Sequence, residues 1–520
     1  MQVVEKIERS KKPASYLTWL AGELGSKPVY LYCALILTCA AVFTLYRPLE
    51  QPVGGDPAIY DYIAQSILRG QVPYRDVVDI KGPGSYYITV AAMWLGRLVG
   101  IRDVLADRLA HGLMLAALVV AVFKVAEEYL ENKTGGIMAA LFILMPSSFM
   151  GWMALGAQPK LSMILFGMLA LLMVRRDRPV WAGVFSMLSC LCWQPGLLFA
   201  GTAFLAMSGY LTRWSDGRAL KLVLGAAAPL AVTVAYLAHL GALRYFWAYA
   251  FEYNYGVFGP SAAKPPAEAV AHFFKVSNRV LGPLIFAFGV AAAGWVIFVV
   301  KMIRHKLASR QLGPPDSLKD AIAIPPVVYL LFCFVNFQGG PDLVLFFPFA
   351  GIFFAFFVLE VVRRFGLKVA SRRFQQAVRL IPALVVVLML AAAFEQGMVA
   401  WRSGKGFFKN QDRAIKLIGD ALGPDGRIYV HGSVEILVLL DRPNLNPYVF
   451  VDWGMDDFIA NKWYGGSFQN VMDEMDRQAP QIVSLTRLGK VNHGEDLVRW
   501  ASQRYTKSSI GGYELFEQKP

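Results

Sequence analysis

The sequence is dominated by a succession of apolar runs near the length that crosses a bilayer. They fall at about 28–46, 84–99, 105–126, 136–150, 159–174, 180–193, 195–210, 221–240, 280–300, 321–337, 343–362 and 380–399. Composition points the same way: 56% of the 520 residues are hydrophobic and 17% are charged, against about 25% charged in soluble domains. This excludes a cytosolic enzyme, a disordered chain and a disulfide scaffold. Several runs are shorter than about 20 residues, which predicts tilted, paired or broken helices. Pro146, Pro195 and Pro348 sit inside or beside runs, where neighbouring helices must satisfy the freed carbonyls.

Lys and Arg cluster between runs, and cytoplasmic loops of membrane proteins carry that excess. The basic loops are Arg175, Arg176 and Arg178; Arg213, Arg218 and Lys221; Lys301, Arg304, Lys306, Arg310 and Lys319; and Arg363, Arg364, Lys368, Arg372, Arg373 and Arg379. Alternating helices put all four on one side, with the basic segment 1–27. That segment is too long and polar for a signal n-region, so the first run reads as an uncleaved span. The expected protein is integral to a bacterial inner or plasma membrane, with its N-terminus cytoplasmic. The loops at 47–83, 150–158, 241–278 and 337–342, and everything after residue 400, then face outward. An inside start and an outside end need an odd number of spans, yet twelve runs are present. The irregularity lies between residues 84 and 158, where one run is partial or re-entrant, or conceals two.

Residues 401–520 have a different composition and read as a small extracytoplasmic α/β domain. Helices are predicted at Asp412–Leu422, Ser433–Leu440 and Phe468–Gln478, and strands at Arg427–His431 and Gln481–Thr486. This region carries 15 basic and 15 acidic residues, so the chain's net charge of +14 lies wholly in the first 400 residues. The basic balance therefore reports membrane orientation, and no nucleic-acid partner is expected. Cys33, Cys39, Cys190, Cys192 and Cys333 all lie in apolar runs and read as inert small hydrophobes. The six histidines are scattered, so no cofactor is expected; a divalent metal is possible but has no ligand cluster in the sequence.

The stretch Gly54–Tyr87, GGDPAIYDYIAQSILRGQVPYRDVVDIKGPGSYY, is the most patterned. Asp56-Pro57 reads as a helix start, with Asp56 as N-cap. Ile59, Ile63 and Ile67 make one apolar face and Gly70 ends the helix. An amphipathic helix after a span is expected in the interface plane, holding Asp56 near the outer surface. Arg75, Asp76, Asp79 and Lys81 follow, then Gly82-Pro83-Gly84 and the next run. An acid and a cation at a membrane surface suit transfer from a lipid-phosphate donor. The phosphate leaves without a general acid. One carboxylate takes the acceptor's proton, and one cation neutralises the departing phosphate. Glycosidases, in contrast, need two carboxylates because an alkoxide leaves.

This pattern, G-D-x-x-x-Y-x-x-x-A…G-x-x-P-Y-x-D…D-x-K-x-P-x-x-Y-Y, resembles the first outer loop of the GT-C glycosyltransferases. The similar branch uses polyprenyl-phosphate sugars and includes protein O-mannosyltransferases and lipid A aminoarabinose transferases. The resemblance implies about 11–13 spans, a long first outer loop and an outer C-terminal domain. It also implies Asp56 as the base, or as the residue that coordinates the acceptor, with Lys81 on the donor phosphate. Single displacement with inversion then moves the sugar to a lipid, glycan or protein acceptor. The chain departs from the pattern at Pro57, where many relatives have a second acid, and at Lys81-Gly82-Pro83, where many have Lys-Pro-Pro. It departs again at Gly256, where some relatives place a phosphate-binding Arg, leaving Arg244, Lys264 or Arg279 as substitutes. The loop NFQGGPD at 336–342 lacks a His common in relatives.

Tyr60, Asp79, Tyr86, Gln158, Lys160, Gln194, Glu252 and Asn254 complete the candidate substrate site. Each also has a plainer reading. Asp79 orients Lys81 or only pairs with it, Lys160 snorkels at a span end, and the aromatic stretch around Glu252 and Asn254 anchors the interface. Gln194 meets a Pro break where polar groups line cavities or pair between helices. Asp61 stands about 140° round the helix from Asp56 and reads as a solvated-face residue. A lipid or glycan transporter or flippase is the rival. It predicts inverted repeats and mid-membrane charges, whereas the charges here crowd at span ends.

Overall fold

The computed structural model describes residues 28–209, 216–309, 314–368, 372–404 and 407–519. The basic segment 1–27, Arg213 and Arg310 lie outside them. Helices α1 (Pro28–Leu45), α2 (Gly55–Leu68), α3 (Gly84–Leu98) and α4 (Asp103–Leu130) open the chain. Then come α5 (Lys133–Leu144), α6 (Ser147–Ala154), α7 (Pro159–Arg175), α8 (Pro179–Cys192), α9 (Leu197–Met207) and α10 (Arg218–His239). The second half of the bundle is α11 (Pro266–Leu281), α12 (Ile285–Ser309), α13 (Ile324–Val335), α14 (Phe346–Lys368) and α15 (Arg372–Ser403).

Among the described residues, seven helices are long and apolar enough to cross a membrane, and the chain is an integral membrane protein. The other apolar runs form shorter helices: α3 has 15 residues, α7 17, α8 14 and α9 11. The run at 136–150 is the irregular one. Pro146 cannot donate its backbone N–H or continue the helix, and α5 and α6 meet there at 67°. The short helices are held by close backbone contact. A Cβ at Gly183 of α8 would stand 2.0 Å from the Leu222 carbonyl of α10, and one at Gly225 of α10 would stand 2.1 Å from the Val180 carbonyl of α8. Small residues let helices approach where burial supplies no driving force.

The basic loops gather at one end. Glu131 pairs with Arg175 and Lys319, Glu128 with Arg176, and Glu360 with Lys301, Arg363 and Arg364. At the other end sits the sheet-bearing C-terminal region, comprising α16 (Phe407–Leu422), β1 (Ile428–His431), α17 (Glu435–Leu440), α18 (Met455–Trp463), α19 (Phe468–Gln478), β2 (Ile482–Leu485), α20 (Gly494–Arg504), β3 (Tyr505–Ile510) and β4 (Tyr513–Gln518). The strand order is β1-β2-β4-β3. β1 and β2 run parallel with Ile428 opposite Ile482, and β3–β4 is a hairpin closed by Gly511-Gly512, both in the left-handed region.

Two local expectations are corrected. The stretch 241–278 is not an open loop but short helices, including a π-helix at Ala248–Phe258. And α2 does not lie with one face in water. It is sandwiched between α4 and the C-terminal region, where Gln65 Nε2 donates to Val438 O at 3.2 Å and the Asn444 N–H donates to Tyr62 Oη at 2.7 Å. Asp61 is consequently 1% exposed, not solvated, and faces the charges of Asp107 and Arg108.

Candidate active site

The segment Asp79–Gly84 joins α2 to α3 and is fixed atom by atom. The Tyr86 hydroxyl donates to Asp79 Oδ2 at 2.5 Å. The Ile80 carbonyl accepts two side-chain amides, from Gln194 Nε2 at 2.8 Å and Asn254 Nδ2 at 2.7 Å. The Lys81 carbonyl accepts the Tyr74 hydroxyl at 2.8 Å, and it shares the single Tyr86 hydroxyl proton with Asp79, at 3.2 Å. Gly82 and Gly84 press on the end of α8: a Cβ at Gly82 would stand 2.1 Å from the Leu191 carbonyl. That contact leaves no room for a Cβ at position 82. Four polar contacts to the Ile80 and Lys81 carbonyls therefore hold the backbone on both sides of Lys81 and leave its side chain free to point.

It points into a cleft of about 710 Å³. Walls come from Trp193–Leu198, from the π-helix and the turn after it, and from α13, with Asn336, Gln338 and Asp342 on the adjoining loop. The lining is mainly apolar. Lys81 is the one Lys or Arg among the lining residues, and no ion pair is found for it among the described residues. Gln194 and Asn254 also line the cleft, so each amide both braces Ile80 and faces the cavity.

Asp56 lies in the first turn of α2, solvent-exposed. Gly54, not Asp56, is the N-cap, and no side chain caps this end. The Asp56 carboxylate is thus not consumed by helix capping. It stands outside the residues lining the cleft, but its charge bears on Asp79 and Tyr60. Burial pushes the Asp79 carboxyl above the ordinary carboxylate value. Lys81, the Tyr86 hydroxyl and the Ile80 N–H pull it back, and Asp56 adds to the rise. Tyr60 is buried and stacks on Tyr86 with ring centres 6.3 Å apart. Tyr60, Asp79, Lys81, Tyr86, Gln194 and Asn254 thus form one connected group, and Asp56 bears on it through its charge alone.

The remaining candidates sit differently. Lys160 pairs with Asp342 at 2.7 Å and lies over the Trp193 ring at 4.7 Å, so its charge is already matched. Gln158 caps α7 by position and makes no capping bond. Glu252 pairs with Lys462 of α18 at 2.6 Å, both exposed, and ties the π-helix to the C-terminal region. Arg244 stacks on Tyr245. None of Arg244, Lys264 and Arg279 lines the cleft. Asp342 was not singled out from the sequence, yet it lines the cavity, is 4% exposed and accepts the Gln338 N–H at 2.8 Å. Its only sequence signal is a lone acid after Gly-Gly-Pro. Among the described residues no group of three or more His, Cys, Asp or Glu is placed to hold a metal ion.

No family profile matches the sequence, and no curated protein matches it. Solved structures do match. ArnT from Cupriavidus metallidurans, bound to undecaprenyl phosphate, superposes with a TM-score of 0.62 at 12% identity, over 94% of this chain and 97% of that one. The archaeal oligosaccharyltransferase AglB from Archaeoglobus fulgidus, in complex with an inhibitory peptide and a dolichol-phosphate, gives 0.54 at 13% identity, over 95% of this chain and 74% of that one. Both are GT-C proteins, and at such low identity what is shared is the fold. The chain therefore has the GT-C fold.

Proposed function

We propose that the protein is a membrane glycosyltransferase that moves a sugar from a polyprenyl-phosphate carrier to an acceptor hydroxyl. The observation that carries this reading is Lys81: a cation without an ion-pair partner among the described residues, rigidly presented to a largely apolar cleft. An apolar cleft with one cation suits a lipid tail and its phosphate. The solved relatives bind such lipids, undecaprenyl phosphate in ArnT and dolichol-phosphate in AglB.

In the proposed step the acceptor oxygen attacks the anomeric carbon. Its proton passes to the Asp56 carboxylate. The bond from the anomeric carbon to the phosphate oxygen breaks, the configuration inverts, and the leaving phosphate takes the electron pair beside Lys81. Asp79 and Tyr86 orient Lys81. The exposed position of Asp56 supports its role as the base reached by an acceptor from the aqueous side. The membrane side follows from the basic loops: we place them in the cytoplasm and the C-terminal region, from about residue 401, outside a bacterial inner or plasma membrane. The test is transfer from a radiolabelled polyprenyl-phosphate sugar by Asp56→Asn protein that inserts and melts like wild type. Loss of about 10²-fold or more in rate is expected for a general base; near wild-type transfer would sink its assignment.

A further inference from the structure

The C-terminal region contains a second cleft, of about 590 Å³, remote in character from the first. Its walls are mainly polar and come from α18, the turn into α19, and α20. Asp457 and Asn461, one turn apart on α18, face Asp496 and Gln503 on α20, with Gln469 at the start of α19. Gly465 and Gly466, both in the left-handed region, shape the turn at its rim. The floor is a fixed plane. The His493 ring lies over Phe468 with centres 4.6 Å apart and 7° between planes. Its Nε2 faces Asp457 Oδ1 at 3.0 Å and its Nδ1 faces Asp496 Oδ2 at 3.1 Å. Phe468 covers one face and the two carboxylates cover the edges. The His493 side chain keeps 31% exposure and lines the cleft.

We propose that this cleft binds a neutral glycan chain. The amides of Asn461 and Gln503, with the second lone pairs of the Asp457 and Asp496 oxygens that already meet His493, Asn492 and Arg499, offer donors and acceptors of the kind vicinal hydroxyls take. A flat, partly exposed ring fixed in the cleft wall suits the C–H face of a pyranose. Charge argues against an anionic ligand: Asp496 meets Arg499 at 3.2 Å and Arg504 meets Asp476 at 2.7 Å, so the basic groups are already matched. A peptide is less well served, since no strand edge lines the cleft for β-addition. A neighbouring side of α18, about 100° round the helix, points back to the first site. Phe458 packs on Tyr249 and Tyr253 of the π-helix, and Lys462 pairs with Glu252. The same π-helix carries Asn254, which braces Ile80. A glycan bound here thus sits one helix away from the segment that sets Lys81. That the glycan belongs to the acceptor rests on the transferase reading; the binding itself does not.

The experiment is saturation-transfer NMR on the full chain in nanodiscs, without donor, using maltotriose, cellotriose and chitotriose as probes. Transfer to the protons of at least one trisaccharide is expected, with millimolar affinity. Asn461 and Gln503 are exposed, and Asn461→Ala and Gln503→Ala should each weaken binding about fivefold, the value of one neutral hydrogen bond. A thermal melt confirms that the variants fold. Three results overturn the proposal: no transfer to any trisaccharide, transfer unchanged in the double variant, or an acidic peptide or inorganic phosphate displacing the sugar. Because no donor is present, glycan binding can fail while sugar transfer succeeds, and the reverse.

Discussion

The two amides on the Ile80 carbonyl make a quantitative prediction. A carbonyl oxygen has two lone pairs, and here both are used, by Gln194 and Asn254. Removing one donor, by Gln194→Met or Asn254→Leu, leaves the oxygen with its other partner. The expected cost is that of one neutral hydrogen bond, about 1 kcal/mol, or about fivefold. Removing both leaves a carbonyl in a segment where Ile80 is 6% exposed without an amide. The double variant then loses both bonds and also the desolvation cost of the orphaned group, for a total of about 3 kcal/mol or more, on the order of 10²-fold. The coupling energy between the two sites is accordingly about 1 kcal/mol. The assay is initial-rate transfer at varied polyprenyl-phosphate-sugar concentration, with thermal melts to separate stability from function. The loss should fall on the donor KM, because the clamp sets where Lys81 stands. Strictly additive losses would show that the amides do not share one acceptor. An unchanged donor KM in the double variant would show that the clamp does not position Lys81.

Two further outcomes follow from packing and burial. Gly82→Ala places a methyl 2.1 Å from the Leu191 carbonyl, with backbone on both sides. The loop must move off α8, costing about 1–3 kcal/mol of stability and about 10²-fold in transfer from displacement of Lys81. Gly201→Ala, where a methyl meets nothing within 4 Å, is the control and should transfer normally. Asp61→Asn should flatten the pH dependence of thermal stability. Burial, with the Asp107 charge adding and Arg108 opposing, raises the Asp61 carboxyl well above 3.8. Below 3.8 both folded and unfolded forms are protonated and no penalty exists; as pH rises, the unfolded chain ionises first and stability is lost until the folded value is passed. Melts across this range should fall for wild type relative to Asp61→Asn; parallel curves would contradict the burial argument.

Much of this was legible in the sequence because the periodic signals are strong. Phe468–Gln478 was read to the residue as a helix, and Gly423, at φ 72°, ends α16 as expected. The stretch Asp56 to Lys81 was legible because a loop of that length needs a reason. Other features depend on tertiary contacts that no local pattern carries. Asp61 looked solvated because its neighbours along α2 leave that face open. α4, through Asp107 and Arg108, closes the Asp61 face, and the C-terminal region, more than 370 residues later in sequence, covers the neighbouring Tyr62 and Gln65 through Asn444 and Val438. α18 was missed because its buried apolar residues, Met455, Ile459 and Ala460, are interrupted by Asp456 and Asp457, while Phe458 and Trp463 find their partners on the π-helix. The β3–β4 hairpin could have been found from Gly511-Gly512, a two-residue turn signal between alternating strands. Asp342 was invisible because its role depends on Lys160, 182 positions away.

The central claim is that Lys81 receives the phosphate of a lipid carrier. Titrating undecaprenyl phosphate into nanodisc-embedded wild type and Lys81→Met, by native mass spectrometry, tests it without needing the sugar or the acceptor. A charge-assisted contact in an apolar cleft is worth about 1.5–3 kcal/mol, so Lys81→Met should bind about 10- to 100-fold more weakly. Lys81→Arg should recover part of that loss. Equal affinity in wild type and Lys81→Met would contradict the account.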